Sequence, residues 1–360
     1  MNCFACLLLN SRMKIIAAFL LATLCLGSAQ CATNQALRYR LQRLDEFVDH
    51  DGSADLLLNN RGQVAALVHD EDSTPHLFLR GRKRTIEVLL PIGASASLQL
   101  AALTGHGTIL FRDEANDSAY HYRRGKPLNL SNALPYKYFN TVAMNNRGRI
   151  VGSAQWDLGT PITAFSYYRG RHRELGSLLL NTPSFALAVN NRGQVVGASE
   201  YQTNIGDATD YSLHAVIFKK DGVVDLGTLD GGKFSVATGI NDLGTVIGYS
   251  VISQPTEDGP INYRRGFVYR DGVMEPLNPP PGHVHSRPLS INRRGQIVGY
   301  STDKDGERRA VLLLNGQTFD LNDLIPPDSD VELRMALSIN NRGVIAAIGD
   351  SGESFLLIPE

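Results

Sequence analysis

The chain has almost no cysteine. Its 360 residues contain four, Cys3, Cys6, Cys25 and Cys31, all within the first 31 positions. A disulfide framework cannot staple the body, so core burial alone has to hold the roughly 330 residues that follow. The chain also has almost no net charge. Thirty-five Lys and Arg against 36 Asp and Glu leave −1, with a pI near 6.8. That balance argues against nucleic acid as a partner, which favours a strongly basic surface. Small basic clusters at 80–84, 169–173 and 308–309 stand beside turn signals, where solvated charge is the ordinary reading. No apolar run reaches the roughly 20 residues of a membrane-crossing helix, so no transmembrane segment is expected. Helical periodicity is nearly missing. The apolar runs are five to eight residues long between turn residues, which places the chain in the all-β class. Catalytic signatures are missing too: there is no Gly-x-Ser-x-Gly elbow, no phosphate-cradling glycine loop and no zinc-protease helix.

The cysteine-bearing start reads as a leader. Lys14 supplies the positive end, residues 15–26 an apolar stretch of 12, and Gly27-Ser28-Ala29 the small residues a signal peptidase requires. Met13 opens a complete signal by itself, so it competes with Met1 as the start. Residues 1–29 are expected to be removed and 30–36 to form a short linker. Residues 37–360 then form one domain, exported to the periplasm or the exterior. Lipidation of Cys31 is disfavoured, because Gln30 stands where a lipoprotein signal places a small residue.

What the chain has instead is a repeated turn. Ala237-Thr238-Gly239-Ile240-Asn241-Asp242-Leu243-Gly244-Thr245-Val246-Ile247-Gly248 carries an Asn-x-x-Gly turn between two short apolar runs. The turn glycine recurs as Gly62, Gly107, Gly148, Gly193, Gly244, Gly295 and Gly343, at spacings of 45, 41, 45, 51, 51 and 48. Periods of this size mark one supersecondary unit repeated around a ring or along a stack. In the fourth copy, strands are expected over 184–190 and 194–199. A variable stretch over 200–211 follows, then a second hairpin of 213–219 and 223–227 about Lys220-Asp221-Gly222. Four residues past the turn glycine stands Gly152, Gly197, Gly248 or Gly299, with Ala66 and Ala347 in the end copies. A small residue there marks close backbone approach. The second copy departs: its turn is Thr104-Gly105-His106-Gly107 and Phe111 takes the small position.

The second hairpin has its own signature, as in Ala164-Phe165-Ser166-Tyr167-Tyr168, Gly266-Phe267-Val268-Tyr269 and Ala310-Val311-Leu312-Leu313. Its fullest form is Leu213-His214-Ala215-Val216-Ile217-Phe218 followed by Val224-Asp225-Leu226-Gly227-Thr228-Leu229. With these two spaced motifs the chain resembles the HAF-repeat family of exported bacterial proteins, over essentially residues 37–358. The resemblance implies an exported, propeller-like protein and brings no activity or catalytic residue with it. His214 falls on a motif position and reads as structural.

The chain ends choose between ring and stack. After Gly343 only one further strand, 354–358, is left, so the last unit is one strand short. The missing strand precedes the first turn motif, at 37–44. A seven-bladed β-propeller of four-stranded blades, with its last blade closed by the N-terminal strand, satisfies both ends without ragged edges. Six or eight blades are the alternatives if the second copy is misread. Both tight turns of each blade then lie on one face, and the variable segments gather on the other.

The candidate site residues fall on that variable face. Tyr136, Tyr138, Trp156, Tyr201, Tyr211 and Tyr263 offer flat apolar area with a polar tip, suited to sugars, peptides or protein surfaces; capping of blades is the plain alternative. His283 and His285 form a His-x-His pair in a Pro-rich loop. The pair is half of a metal site that Asp303 or Asp305 would have to complete, but no four-ligand pattern is visible and no metal or other cofactor is expected. Asp303-Lys304-Asp305-Gly306-Glu307 reads as a turn and not a calcium loop. The leading expectation is a monomeric, non-enzymatic scaffold of the cell envelope or exterior, binding a glycan, peptide or protein. The alternative is an exported enzyme, a glycan-active lyase or hydrolase with its site at the central channel mouth.

Overall fold

The computed structural model describes residues 37–47, 55–123, 125–205, 208–229, 232–254 and 261–360, with side chains except at 203–205, 208–211 and 254. The leader and all four cysteines lie outside the described residues. The compact unit is Tyr39–Pro359, seven four-stranded antiparallel sheets arranged as the blades of a propeller. Blades 1 to 6 occupy 55–88, 98–129, 138–174, 184–225, 234–277 and 283–320. Blade 7 combines 333–359 with Tyr39–Arg43, which pairs antiparallel with the last strand from Tyr39 opposite Pro359 to Arg43 opposite Phe355. The N-terminal strand therefore closes the ring as expected. Among the described residues the only helical pieces are two short 3-10 turns, Ser131–Ala133 and Leu321–Leu324.

Within a blade the four strands, a to d, follow one another outward from the channel. In blade 4 they are Ser184–Val189, Val195–Ile205, Ala208–Lys219 and Gly222–Asp225. The a–b turn, opened by Asn in six copies and by Thr104 in blade 2, is closed by its glycine in the left-handed region, with φ between 77° and 93° in all seven copies. Alanine at such a position is strained, which fixes the turn chemistry. The a–b and c–d turns lie at one end of every blade, the tight-turn face. The b–c connections and the links between blades lie at the other, the loop face.

The small residue past each turn is where strand a bulges. Register shifts at Thr141/Ala143, Ala186/Ala188, Ala237/Gly239 and Pro288/Ser290 push a main-chain carbonyl against Gly152, Gly197, Gly248 and Gly299. A Cβ on Gly248 would stand 2.0 Å from the Val236 carbonyl oxygen and 2.6 Å from the Phe267 ring. Gly248 and Phe267 are cross-strand partners, as are Gly152 and Phe165, and both rings are fully buried. The glycine of the first motif thus makes room for the aromatic of the second, whose burial contributes about 2–3 kcal/mol. In blade 2 Phe111 stacks instead on Tyr120 at 5.3 Å.

Core residues pack between neighbouring blades: Val196, Ala215 and Leu226 of blade 4 join Ala237, Val246 and Phe267 of blade 5. On the loop side, serines tie blades together. The amides of Ala164, Ala215 and Gly266 donate to the hydroxyls of Ser184, Ser235 and Ser286 in the next blade, at 2.8–2.9 Å.

Two expectations are corrected. The variable stretch 200–211 is not a loop, because strands b and c of blade 4 run on together as far as Ile205 opposite Ala208. Blade 5 does the same over Val246–Gln254 and Ile261–Arg270. His283 and His285 likewise lie on a strand, His283–Ile291, and not in the Pro-rich loop before it.

Candidate functional site

The channel mouth on the tight-turn face is built by one side chain per blade. The Asn190 carbonyl oxygen, Oδ1, accepts from the amides of Arg192 and Gln194 at 3.1 and 3.0 Å, which holds the turn. Its Nδ2 leaves the blade and donates to the main-chain carbonyl of Asn241 at 2.9 Å. The same bond runs from Asn59 to Thr104, Asn145 to Asn190, Asn241 to Asn292, Asn292 to Asn340 and Asn340 to Asn59, at 2.8–3.3 Å. All six asparagines are buried. Six of the seven junctions thus carry the bond. Thr104, without an amide, cannot pass it on to Asn145.

The residue after each Asn makes the rim. Main-chain amides of Gly105, Asn146, Asn191, Arg293 and Asn341 donate to the Oδ1 of Asn146, Asn191, Asp242, Asn341 and Asn60, at 2.5–2.9 Å. Asp242 also accepts from Asn191 Nδ2 at 3.0 Å. With the Oδ1 atoms taken up, the Nδ2 groups of Asn60, Asn146 and Asn341 make no hydrogen bond among the described residues, nor does the Arg293 guanidinium. The rim is therefore rich in unused donors. Beneath it lies an apolar collar, one residue per blade, including Met144, Val189, Ile240 and Ile291, around a cavity of about 190 Å³. That room suits a small acceptor-bearing head with a short apolar part, and is below the few hundred Å³ of drug-sized pockets.

The residues expected to bind do not gather there; Tyr136 meets Trp156 and Tyr263 meets His285, but the described residues form no single cluster. Tyr136 is buried against Trp156, Phe165 and His172, with ring centroids 4.9–5.7 Å away. Burial first, and then the charge of Glu174, push its phenol up to about 12. Trp156 is 47% exposed, and its Nε1 donates to Glu174 at 2.6 Å. Tyr201 stacks on His214 at 4.1 Å, and Tyr263 leans on His285 at 5.8 Å. Tyr211 pairs with Gln202, and its side chain lies outside the described residues. His285 Nδ1 accepts from the Arg264 amide of blade 5 at 3.1 Å. Burial first, then Arg264 and Arg265, hold its pKa below the ordinary histidine value. His283 sits opposite Asp303 in its own blade, beyond a bulge that breaks the alternation between the two histidines. No group of three His, Cys, Asp or Glu able to hold a metal occurs among the described residues. Tyr138 lines a cavity, a loop-side groove of about 200 Å³ between blades 2 and 3, with Asp117, Phe139, Asn140 and Gln155.

Several of these side chains answer to a structural pattern. His214 pairs with Asp225 at 2.9 Å, His76 with Glu87 at 2.7 Å and Arg309 with Asp320 at 4.0 Å. Each pair lies 11 residues apart and ties strand c to strand d diagonally. In blade 3 Thr163 holds that position and cannot pair, so Trp156 supplies the donor for Glu174. The reading of His214 as structural agrees with this geometry.

The rim has a signature in the sequence that lies outside the aromatic and histidine candidates. At one fixed place in the turn the copies read Asn60, Gly105, Asn146, Asn191, Asp242, Arg293 and Asn341.

Among protein families, the model described as "Protein of unknown function (DUF3466)" matches residues 178–351, blade 4 to blade 7. No curated protein matches the chain. Solved structures share the fold. Virginiamycin B lyase from Staphylococcus aureus is 13% identical with a TM-score of 0.51, over 89% of this chain and 99% of that one. The β-propeller domain of the Trilobed protease from Pyrococcus furiosus is 9% identical at 0.51, over 82% and 89%. YCF48, solved with a D1 peptide, is 11% identical at 0.50, over 90% and 96%. These structures include both an enzyme and a peptide-bound protein, so the likeness establishes the propeller fold alone.

Proposed function

We propose that this chain is an exported binding propeller whose ligand enters the channel mouth on the tight-turn face. The observation that carries the reading is the donor-rich rim over an apolar collar. Three unused Asn amides and Arg293 favour an anionic or otherwise acceptor-rich head, such as a carboxylate or phosphate. The enzyme reading is weaker at this place. Glycoside hydrolysis uses two facing carboxylates, and among the described residues lining the mouth the only acid is Asp242, already engaged by Asn191. Export rests on the leader at 1–29, and amino-terminal sequencing of protein from the periplasm or medium should then begin at Gln30.

Calorimetric titration with acetate, inorganic phosphate and short carboxylate-bearing peptides tests the mouth. Removing a charge-assisted donor costs roughly 1.5–3 kcal/mol, so Arg293→Ala should weaken binding at least tenfold. Binding indifferent to Arg293→Ala but lost with Trp156→Ala would move the site to the loop face.

The groove between blades 2 and 3 supports a second reading. Asn140 Oδ1 is buried there without a partner. A ligand able to donate to it and stack on Tyr138 would be released by Tyr138→Ala.

A further inference from the structure

The near-zero net charge conceals two opposite faces. The described turns of the tight-turn face hold twelve Lys or Arg and three acids. The described connections of the loop face hold three Lys and sixteen Asp or Glu. Strands of about six residues separate the faces by about 20 Å. That exceeds the Debye length of about 8 Å at physiological salt, so a surface meeting one face does not sense the other. The mean charge that argued against an anionic partner therefore does not describe either face.

On the tight-turn face the cations are both exposed and unneutralised. Arg61, Arg147, Arg192, Arg294 and Arg342 stand on the inner turns, and all are exposed. Arg82, Lys83, Arg84, Arg169 and Lys220 stand on the outer turns, also exposed. None of them forms an ion pair among the described residues, whereas on the loop face Lys137 is bound to Asp157 at 2.7 Å. The inner turns share one length and one hydrogen-bond closure, 2.9–3.1 Å from each turn glycine to its Asn or Thr, so their tips are level. Two apolar side chains share this face in blade 5. Leu243, 56% exposed, stands where five other copies have Arg, and Val273, also 56% exposed, opens the outermost strand.

We propose that the tight-turn face docks flat on a lipid bilayer rich in anionic headgroups, with Leu243 and Val273 reaching into the interface. A small ligand would need the cations to converge; here they are spread over the inner and outer turns of several blades, as a planar partner requires. The acidic loop face is repelled by the same bilayer, so the molecule orients with its loop face outward. The docking engages the whole face and holds whether or not the mouth takes a ligand of its own.

Cosedimentation of the full-length processed protein with vesicles tests this. Vesicles of phosphatidylcholine containing 30% phosphatidylglycerol should retain it at 50 mM NaCl and release it at 500 mM, and pure phosphatidylcholine should not bind it. Each interfacial Lys or Arg contributes roughly a fivefold factor. The variant Arg61→Glu/Arg192→Glu/Arg342→Glu loses three attractions and adds three repulsions, so it should bind more weakly by well over ~100-fold. These side chains are exposed, so its melting temperature should stay at the wild-type value. A loop-face variant, Asp328→Lys/Asp330→Lys, should bind at least as well as wild type. Equal binding to neutral vesicles, binding unaffected by the triple variant, or retention on heparin without vesicle binding overturns the proposal. Vesicle binding with no heat from acetate, phosphate or peptides would keep the docking and remove the mouth ligand; the reverse result would remove the docking alone.

Discussion

Asn190 uses both ends of its side-chain amide, one to shape its own turn and one to hold the next blade. Asn190→Ala loses the turn bonds and leaves the buried Asn241 carbonyl without this donor, a cost of about 2–3 kcal/mol. Urea unfolding should show it as a lower midpoint at unchanged slope. The converse change, Thr104→Asn, supplies the missing donor toward Asn145 and should raise stability by about 1 kcal/mol. Gly248→Ala forces a Cβ into the Val236 carbonyl and the Phe267 ring, so a loss of about 2–4 kcal/mol is expected in the same assay. His76 lies between Glu87 at 2.7 Å and Asp70 at 3.3 Å. The bond to Glu87, ahead of the opposing pull of burial and the help of Asp70, raises its pKa above the ordinary 6.5. A pKa raised by folding stabilises fully below 6.5, and the effect fades as pH climbs through the raised value. His76→Gln should thus destabilise at pH 5.5, by at most about 1 kcal/mol for so exposed a pair, and hardly at pH 9.

Blades differ most where the repeat departs from its own pattern. Blade 2 lacks the turn Asn, and its boundary with blade 3 is the junction without the side-chain-to-carbonyl bond and is flanked by loop-side grooves. Amides along this seam should exchange hydrogen faster than their counterparts between blades 4 and 5, and Thr104→Asn should slow them. The blades themselves were legible in the sequence, because a turn glycine at positive φ and a buried Phe opposite a glycine both demand particular residues. The extended hairpins of blades 4 and 5 were not. Beyond the sheet strands b and c continue as a pair, and residues such as Glu200, Gln202 and Thr203 show no apolar alternation and so read as loop. The aromatics placed in those loops accordingly proved to be strand residues.

As a whole molecule the propeller is a device for collecting residues about 47 apart in sequence into one ring. Seven blades and their closure could be inferred from the spacing of Gly62 to Gly343 and from the strand at Tyr39–Arg43. The charged faces could not, since Arg61, Arg192 and Arg342 alternate along the chain with acids such as Asp70, Asp157 and Asp350, and only the strand directions separate them. The aromatics that stand out in the sequence lie toward the loop face, whereas the rim and its surrounding arginines come together on the opposite side. Hydrogen exchange with and without vesicles containing 30% phosphatidylglycerol tests most directly whether that side is the working face. Protection is predicted at the turns 59–63, 145–149, 190–194, 292–296 and 340–344. Protection confined to the loop-face segments 304–307 and 321–332, with those turns unchanged, would contradict it.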